Sequence, residues 1–357
     1  MKSFLFCCVF SYMFLFSCRE KPGDIPRGIP YATVHPKVVT DTTRWDTDDP
    51  AVWINSDNPA ESLVIGTDKN QDGGIYSYDL NGKVVSLRTG IDRPNNVDVT
   101  YGFPFRGETI DIAVVTERMK QRIRVFRLPG LESVDNGDLI VFEGKPERAP
   151  MGIAVYKRPR DNAFFILVSG KSGPEDGYIG QYRLKENDKG DLEMNFVRQF
   201  GKFSGKKEIE SIAVDSEPGY VYYSDEGTGV RKYHADPDAP DAGKELALIA
   251  GEGFAGDHEG ISIYCLENGK GYILVSDQQA NRFWIYSREG AKDHPHTHRL
   301  LKIIGVQTEE SDGSEVTNVP LPGFPGGLFV AMSNGKTFHY YDWKEIAGKD
   351  LKSANQK

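Results

Sequence analysis

From Asp46 almost to the end of the chain, short apolar runs alternate with turn residues, and the 3.6-residue spacing of an amphipathic helix is scarce. Runs of this length, rich in Val, Ile, Tyr and Phe and bounded by Gly, Asp and Asn, predict strands. The strands come in repeating groups of three. The first run opens on an acidic, amide or glycine head, as in Asp49-Pro-Ala-Val-Trp53, Asn96-Val-Asp-Val-Thr100, Gly152-Ile-Ala-Val-Tyr156, Glu210-Ser-Ile-Ala-Val214 and Glu259-Gly-Ile-Ser-Ile263. The second is more continuously apolar, as in Ser62-Leu-Val-Ile-Gly-Thr67 and Phe164-Phe-Ile-Leu-Val-Ser169. The third carries aromatic and basic residues, as in Arg122-Ile-Arg-Val-Phe-Arg127 and Arg282-Phe-Trp-Ile-Tyr-Ser287. A more degenerate sixth copy runs from Gly327 to Trp343.

The heads fall at 49, 96, 152, 210 and 259, in steps of 47, 56, 58 and 49 residues. Repeats of that period made of strands and turns predict an all-β, six-bladed β-propeller, in which no blade can bury both faces until the ring closes. The propeller is expected over residues 41–348, followed by a polar tail, 349–357.

The first residues follow a different pattern. Lys2 precedes an apolar run from Phe4 to Phe16 that is too short to span a bilayer permanently, and residues 1–17 read as a signal peptide. Its end, Leu15-Phe-Ser-Cys18, resembles the cleavage box of bacterial lipoproteins, which makes Cys18 the expected lipidation site. An uncleaved anchor or plain secretion would export the chain equally. Residues 18–40, with several Pro and Gly, are expected to be a flexible tether. Three of the four cysteines lie in the export segment, so the domain keeps only Cys265, expected as a structural thiol.

The formal net charge is −9, and no basic stripe points to nucleic acid. The acidic excess matters through its position. Equivalent positions in successive blades meet around one mouth of a propeller. The heads and flanks therefore bring together Asp48, Asp49, Asn96, Asp98, Glu210, Glu226, Asp257, Glu259 and Asp312, with Asp225 beside them. Carboxylates so converged repel one another unless cations intervene. An all-oxygen set selects a hard cation, and calcium, with its six to eight loosely arranged oxygen ligands, suits it better than magnesium. Lys69, Arg118 and Lys171 all follow the second strand of their blade, and cations at equivalent places suit a phosphorylated guest. Asp57, Asp79 and Asp236 read as turn residues.

These segments resemble the β-propeller phytases, calcium-dependent enzymes that remove phosphate from inositol hexakisphosphate. The resemblance rests on Asp46-Thr-Asp-Asp-Pro-Ala-Val-Trp53, Ser62-Leu-Val-Ile-Gly-Thr-Asp-Lys69, Asn95-Asn-Val-Asp-Val99, Gly219-Tyr-Val-Tyr-Tyr-Ser-Asp-Glu226, Asp257-His-Glu-Gly260, Asn268-Gly-Lys-Gly-Tyr-Ile-Leu274 and Phe324-Pro-Gly-Gly-Leu-Phe-Val-Ala331, in family order. It implies several calcium ions held by Asp48, Asp49, Glu210, Glu226, Asp257, Glu259 and Asp312, with Asn96 and Asp98 as weaker candidates. It also implies a phosphate-binding role for Lys69, Arg118 and Lys171, and a catalytic role for Glu210, Glu226, Glu259, Lys69 and Arg118. Two departures bear on substrate preference: Met151 stands where the family often has Tyr, and Ser211 where it usually has Gly.

The expected reaction is phosphomonoester hydrolysis by direct in-line attack of metal-activated water, with no covalent phosphoenzyme. The chain is expected to act on a polyphosphorylated small molecule, as a monomer tethered by lipid to a bacterial membrane and facing the periplasm or the outer-membrane surface. His258, between two expected ligands, should point away from them if strand alternation holds. Two other readings remain open at this point. A six-bladed propeller lactonase also uses axial calcium but has no need of three phosphate-facing cations, and a surface propeller could bind inositol phosphates without turnover.

Overall fold

A computed structural model describes residues 31–354. Cys18, the signal segment and most of the tether lie outside the described residues. Six sheets, each with at least three successive antiparallel strands, follow one another around an axis and run from an inner to an outer strand. Blade one comprises Thr47–Trp53, Leu63–Asp68, Gly73–Tyr78 and Val84–Ile91. Blade two comprises Pro94–Phe105, Glu108–Glu117, Arg122–Arg127 and Glu132–Ser133. Pro150–Lys157, Phe164–Gly170, Asp176–Glu186 and Leu192–Lys202 form blade three. Ile212–Asp215, Tyr220–Asp225, Gly229–His234 and Ala247–Ile249 form blade four. Blade five is His258–Cys265, Gly271–Asp277, Arg282–Ser287 and Leu300–Val306. The sixth takes Ser314–Val316, Leu328–Ser333 and Thr337–Asp342 from the end of the chain and its outer strand, Val38–Val39, from the beginning.

The apolar pattern is explained by where the core sits. It is divided into six clusters, one in each seam between neighbouring blades. A second strand has seams on both faces, so Phe164–Gly170 and Gly271–Asp277 are buried throughout and read as continuous apolar runs. Outer strands face solvent, and most of Val84–Ile91 is exposed. Aromatic edges cross the seams, as where Phe103 of blade two meets Phe164 of blade three with centroids 5.0 Å apart.

Polar stitches reinforce the same seams near the axis. The Thr116 hydroxyl donates to the Met151 carbonyl at 2.9 Å, Ser169 to Ile209 at 2.5 Å, Ser224 to His258, and Ser276 to Ser311 at 3.0 Å. Each hydroxyl belongs to the second strand of one blade and its acceptor to the head of the next. The buried carbonyls are thereby satisfied across an interface that strand pairing cannot serve.

One expected boundary is corrected. Residues 31–40 are not tether: Tyr31–Val34 pairs in parallel with Leu300–Val306, and Val38–Val39 pairs with Tyr340 and His339, covering sheet edges that would otherwise be open. The polar tail, as far as residue 354, packs against blade five. Leu351 is buried, the Tyr272 hydroxyl accepts from Lys352 N–H at 2.8 Å, and Trp343 stacks on Tyr264 at 3.9 Å.

Candidate functional site

A β-bulge recurs at the heads of the inner strands. The pairing register slips between Thr47 and Pro50, Pro94 and Val97, Pro150 and Ile153, and His258 and Ile261. A bulge adds a residue on one strand and re-aims the side chains beside it. The displaced residues are Asp48 and Asp49, Asn95 and Asn96, Met151 and Gly152, and Glu259 and Gly260. Strand alternation is suspended there.

Around the mouth, Glu210 and Glu226 from blade four and Glu259 from blade five each bring one carboxylate oxygen within 4.8 Å of the others. Asp48 and Asp312 join from blades one and six, bridged by Lys69, whose Nζ lies 2.5 Å from Asp48 and 3.2 Å from Asp312. Asp257 completes the arc, ion-paired with Lys207. Burial is the first cause raising the proton affinity of Asp48, Glu259 and Asp312, with Glu210 adding repulsion in each case. Glu226 is pushed up to about 8 by burial and then by Glu210 and Asp257. Burial opposes the charge on Lys69, but Asp48, Asp312 and Glu210 outweigh it and hold the ammonium protonated.

Three buried oxygens of this group, Asp48 Oδ2, Glu226 Oε1 and Glu259 Oε2, have no hydrogen-bond partner among the described residues. An unpartnered buried acceptor is costly, and three on converging anions cost more. The set is all oxygen and acidic, with orphaned atoms, and so fits a hard divalent cation.

Beside the carboxylates lies a polar bridge that the sequence analysis did not single out. The Asn95 side chain donates to Glu210 at 2.5 Å and to Asn96 at 2.8 Å, while its carbonyl accepts from Arg118 Nη1 at 3.0 Å. Asn95 thus fixes Arg118 next to the acidic group, and two adjacent amides at a bulged head were the available signal. Lys171 stands farther out, exposed and ion-paired with Glu208. Met151 is buried, its carbonyl held by Thr116. The Ser211 hydroxyl accepts from Ile261 N–H at 2.9 Å and joins blades four and five.

The remaining candidates lie along the axis. Asp49 Oδ2 accepts from Val97 N–H at 3.0 Å. Asp98 turns away from the mouth, its two oxygens accepting from Val99 and Val155 N–H at 2.7 Å each. Asp49, Asn96, Asp98 and Glu315 line an axial cavity of about 320 Å³. Burial raises Asp98 to about 6, and burial followed by Asp98 raises Glu315 to about 8. Glu315 was not a sequence candidate, because its blade is the degenerate copy. His258 is packed as expected, its ring against Phe254 at 4.0 Å and its Nε2 2.6 Å from the Ala250 carbonyl. Burial pushes the Cys265 thiol up to about 11, which disfavours the thiolate.

The same ring of blades occurs in a luciferin-regenerating enzyme of known structure, with a TM-score of 0.50, 13% identity, and coverage of 85% of this chain and 94% of that one. At that identity the likeness concerns the fold alone. A 3-phytase of Bacillus subtilis strain 168 is 32% identical over 320 residues, 84% of this chain and 80% of the relative. Residues 30–344, which include every blade and every residue of the mouth, match the phytase family, and the chain belongs to that family of enzymes.

Proposed function

We propose that the chain is a calcium-dependent phosphomonoesterase that releases phosphate from inositol hexakisphosphate and related inositol phosphates. The observation that carries this reading is the close approach of Glu210, Glu226 and Glu259, with buried unpartnered oxygens, beside Arg118 and Lys69. Asp48, Asp49, Asp257 and Asp312 complete the proposed ligand set, with Asn96 at its edge, and Asp98 is left out because backbone amides occupy both its oxygens. Calcium held by these residues would neutralise the carboxylates and would supply an acidified water for attack on the phosphate ester.

The chain's own residues do the rest. Arg118, oriented by Asn95, offers guanidinium donors where charge develops on the phosphoryl oxygens. Lys69 is held charged at the boundary between Asp48 and Asp312, where its ammonium would face a phosphate bound at the mouth. Lactone hydrolysis would give neither cation a task. By family analogy Lys171 would serve a neighbouring phosphate. Export and lipid attachment at Cys18 are part of the same proposal, checked by the mass of the mature N-terminus and its loss in Cys18→Ala.

The deciding assay measures phosphate released from inositol hexakisphosphate by the protein lacking residues 1–18. Turnover in calcium, loss in chelator and recovery on adding calcium back are expected. Equal turnover in chelator would overturn the metal assignment, and no turnover in either condition would overturn the substrate.

A further inference from the structure

Arg93 lies in the connection between the outer strand of blade one and the head of blade two. Its φ of 59° is left-handed, a conformation that strains a long side chain and suits glycine. Two backbone hydrogen bonds hold it there. Arg93 N–H donates to the Asn70 carbonyl at 2.8 Å, and the Arg93 carbonyl accepts from Arg118 N–H at 3.2 Å. The clamp ties the loop that carries Lys69 to the loop that carries Arg118. Strain at a residue so tightly held is the pattern of a position kept for its side chain.

That side chain has no carboxylate partner among the described residues, and its Nε is buried without an acceptor. Its charged neighbour is Arg118, which also lacks a carboxylate partner and has its own Nε buried and unsatisfied. Arg118 is destabilised as a cation by burial first and by Arg93 second, while Glu210 and Asp48 act in the opposite sense. The lysines of the mouth are placed differently: Lys69, Lys171 and Lys207 are each engaged with carboxylates. Two guanidiniums that repel each other and keep buried donors free become favourable neighbours around a shared polyanion.

We propose that Arg93 is a specificity-determining residue that grips a second, non-reacting phosphate of a vicinally phosphorylated inositol, next to the phosphate held by Arg118. The assignment deepens the phytate reading and rests on it. It divides substrates by phosphate count, because a simple monoester offers Arg93 nothing to hold.

Arg93→Gly tests this without threatening the fold, since glycine removes the side chain and relieves the positive φ. The melting temperature in calcium should be equal to or above wild type. The ratio of kcat/KM for inositol hexakisphosphate to that for a phosphate monoester should fall about tenfold, mostly through KM, the scale expected for losing a charge-assisted contact. Calorimetric binding of inositol hexasulfate, a non-hydrolysable polyanion, should weaken by a similar factor in calcium, with partial recovery in Arg93→Lys. Unchanged hexasulfate affinity, or equal losses on both substrates, would overturn the assignment. If the wild type binds hexasulfate through Arg93 yet releases no phosphate, the phytate reading falls and the specificity role of Arg93 falls with it, leaving Arg93 an anion contact only.

Discussion

Two sets of buried carboxylates in this propeller use the same residue types for opposite ends. At the close of the second strands, Glu117, Asp225 and Asp277 pair with the third strand of their own blade. Arg122 Nε lies 2.6 Å from Glu117, Arg231 Nε 2.8 Å from Asp225, and Arg282 Nε 2.7 Å from Asp277. At the mouth, Glu210, Glu226 and Glu259 face one another with orphaned oxygens among them. Adjacent residues can fall on either side of the divide. Asp225 bonds Arg231 and Ser204, while Glu226 joins the cluster. A carboxylate with its cation built in holds a blade together, whereas a buried one without such a partner costs the fold stability.

The sharpest way to break this comparison is to neutralise one member of each set. Glu259→Gln should lower phosphate release in calcium by about a thousandfold or more, as expected when a ligand of the catalytic metals loses its charge. In chelator the same variant should melt higher than wild type, because repulsion has been removed. Asp277→Asn should do the reverse, losing about 3 kcal/mol of stability as Arg282 loses the charge of the carboxylate that it pairs with at 2.7 Å. Melting curves and turnover measured on both variants decide it, and parallel behaviour would erase the distinction.

Next in size is Arg118→Ala, which should raise the barrier by about 2 to 4 kcal/mol, read as a fall in kcat/KM. Lys69→Ala should lose as much in calcium. An unchanged kcat/KM in either would move the reacting phosphate elsewhere.

A pH series tests the unpartnered set more gently. Glu226 is raised to about 8 in the metal-free protein, above its unfolded value of 4.5. Between those limits the folded state binds more protons, so metal-free stability should fall as pH rises from about 5 to 8. Melting temperatures in chelator should show the slope, and saturating calcium should flatten it.

The smallest effect is expected at Lys171, whose side chain is 44% exposed and paired with Glu208. Lys171→Ala should raise KM for inositol hexakisphosphate about two- to threefold, with less effect on a simple monoester. A loss as large as that of Arg118→Ala would place Lys171 at the reacting phosphate.

The ring and its mouth were legible because repetition turns sequence position into ring position, and the heads recur with acidic residues. The geometry within each head was not. A bulge leaves no mark on residue type, so Asp98 looked like a companion of Asp48 although it faces the axial cavity and is spent on backbone amides. Val38–Val39 is too short a run to announce a strand, and only its partners Tyr340 and His339, some 300 residues away, give it a role. Arg93 resembled any loop cation, because neither its positive φ nor its unpartnered Nε can be read from a letter.

That closing strand also sets an order of events. Val38 and Val39 leave the ribosome among the first residues of the domain, but the strand they must join, Thr337–Asp342, is among the last. Blades can pair internally as they emerge, yet one seam stays open until the chain is nearly complete, and contacts of such sequence separation are the slow ones in folding. The carboxylates of the mouth come from blades one, four, five and six, so the full set assembles only at that final step. Closure of the ring and readiness for cations are therefore one event, and a chain cut before blade six would lack both.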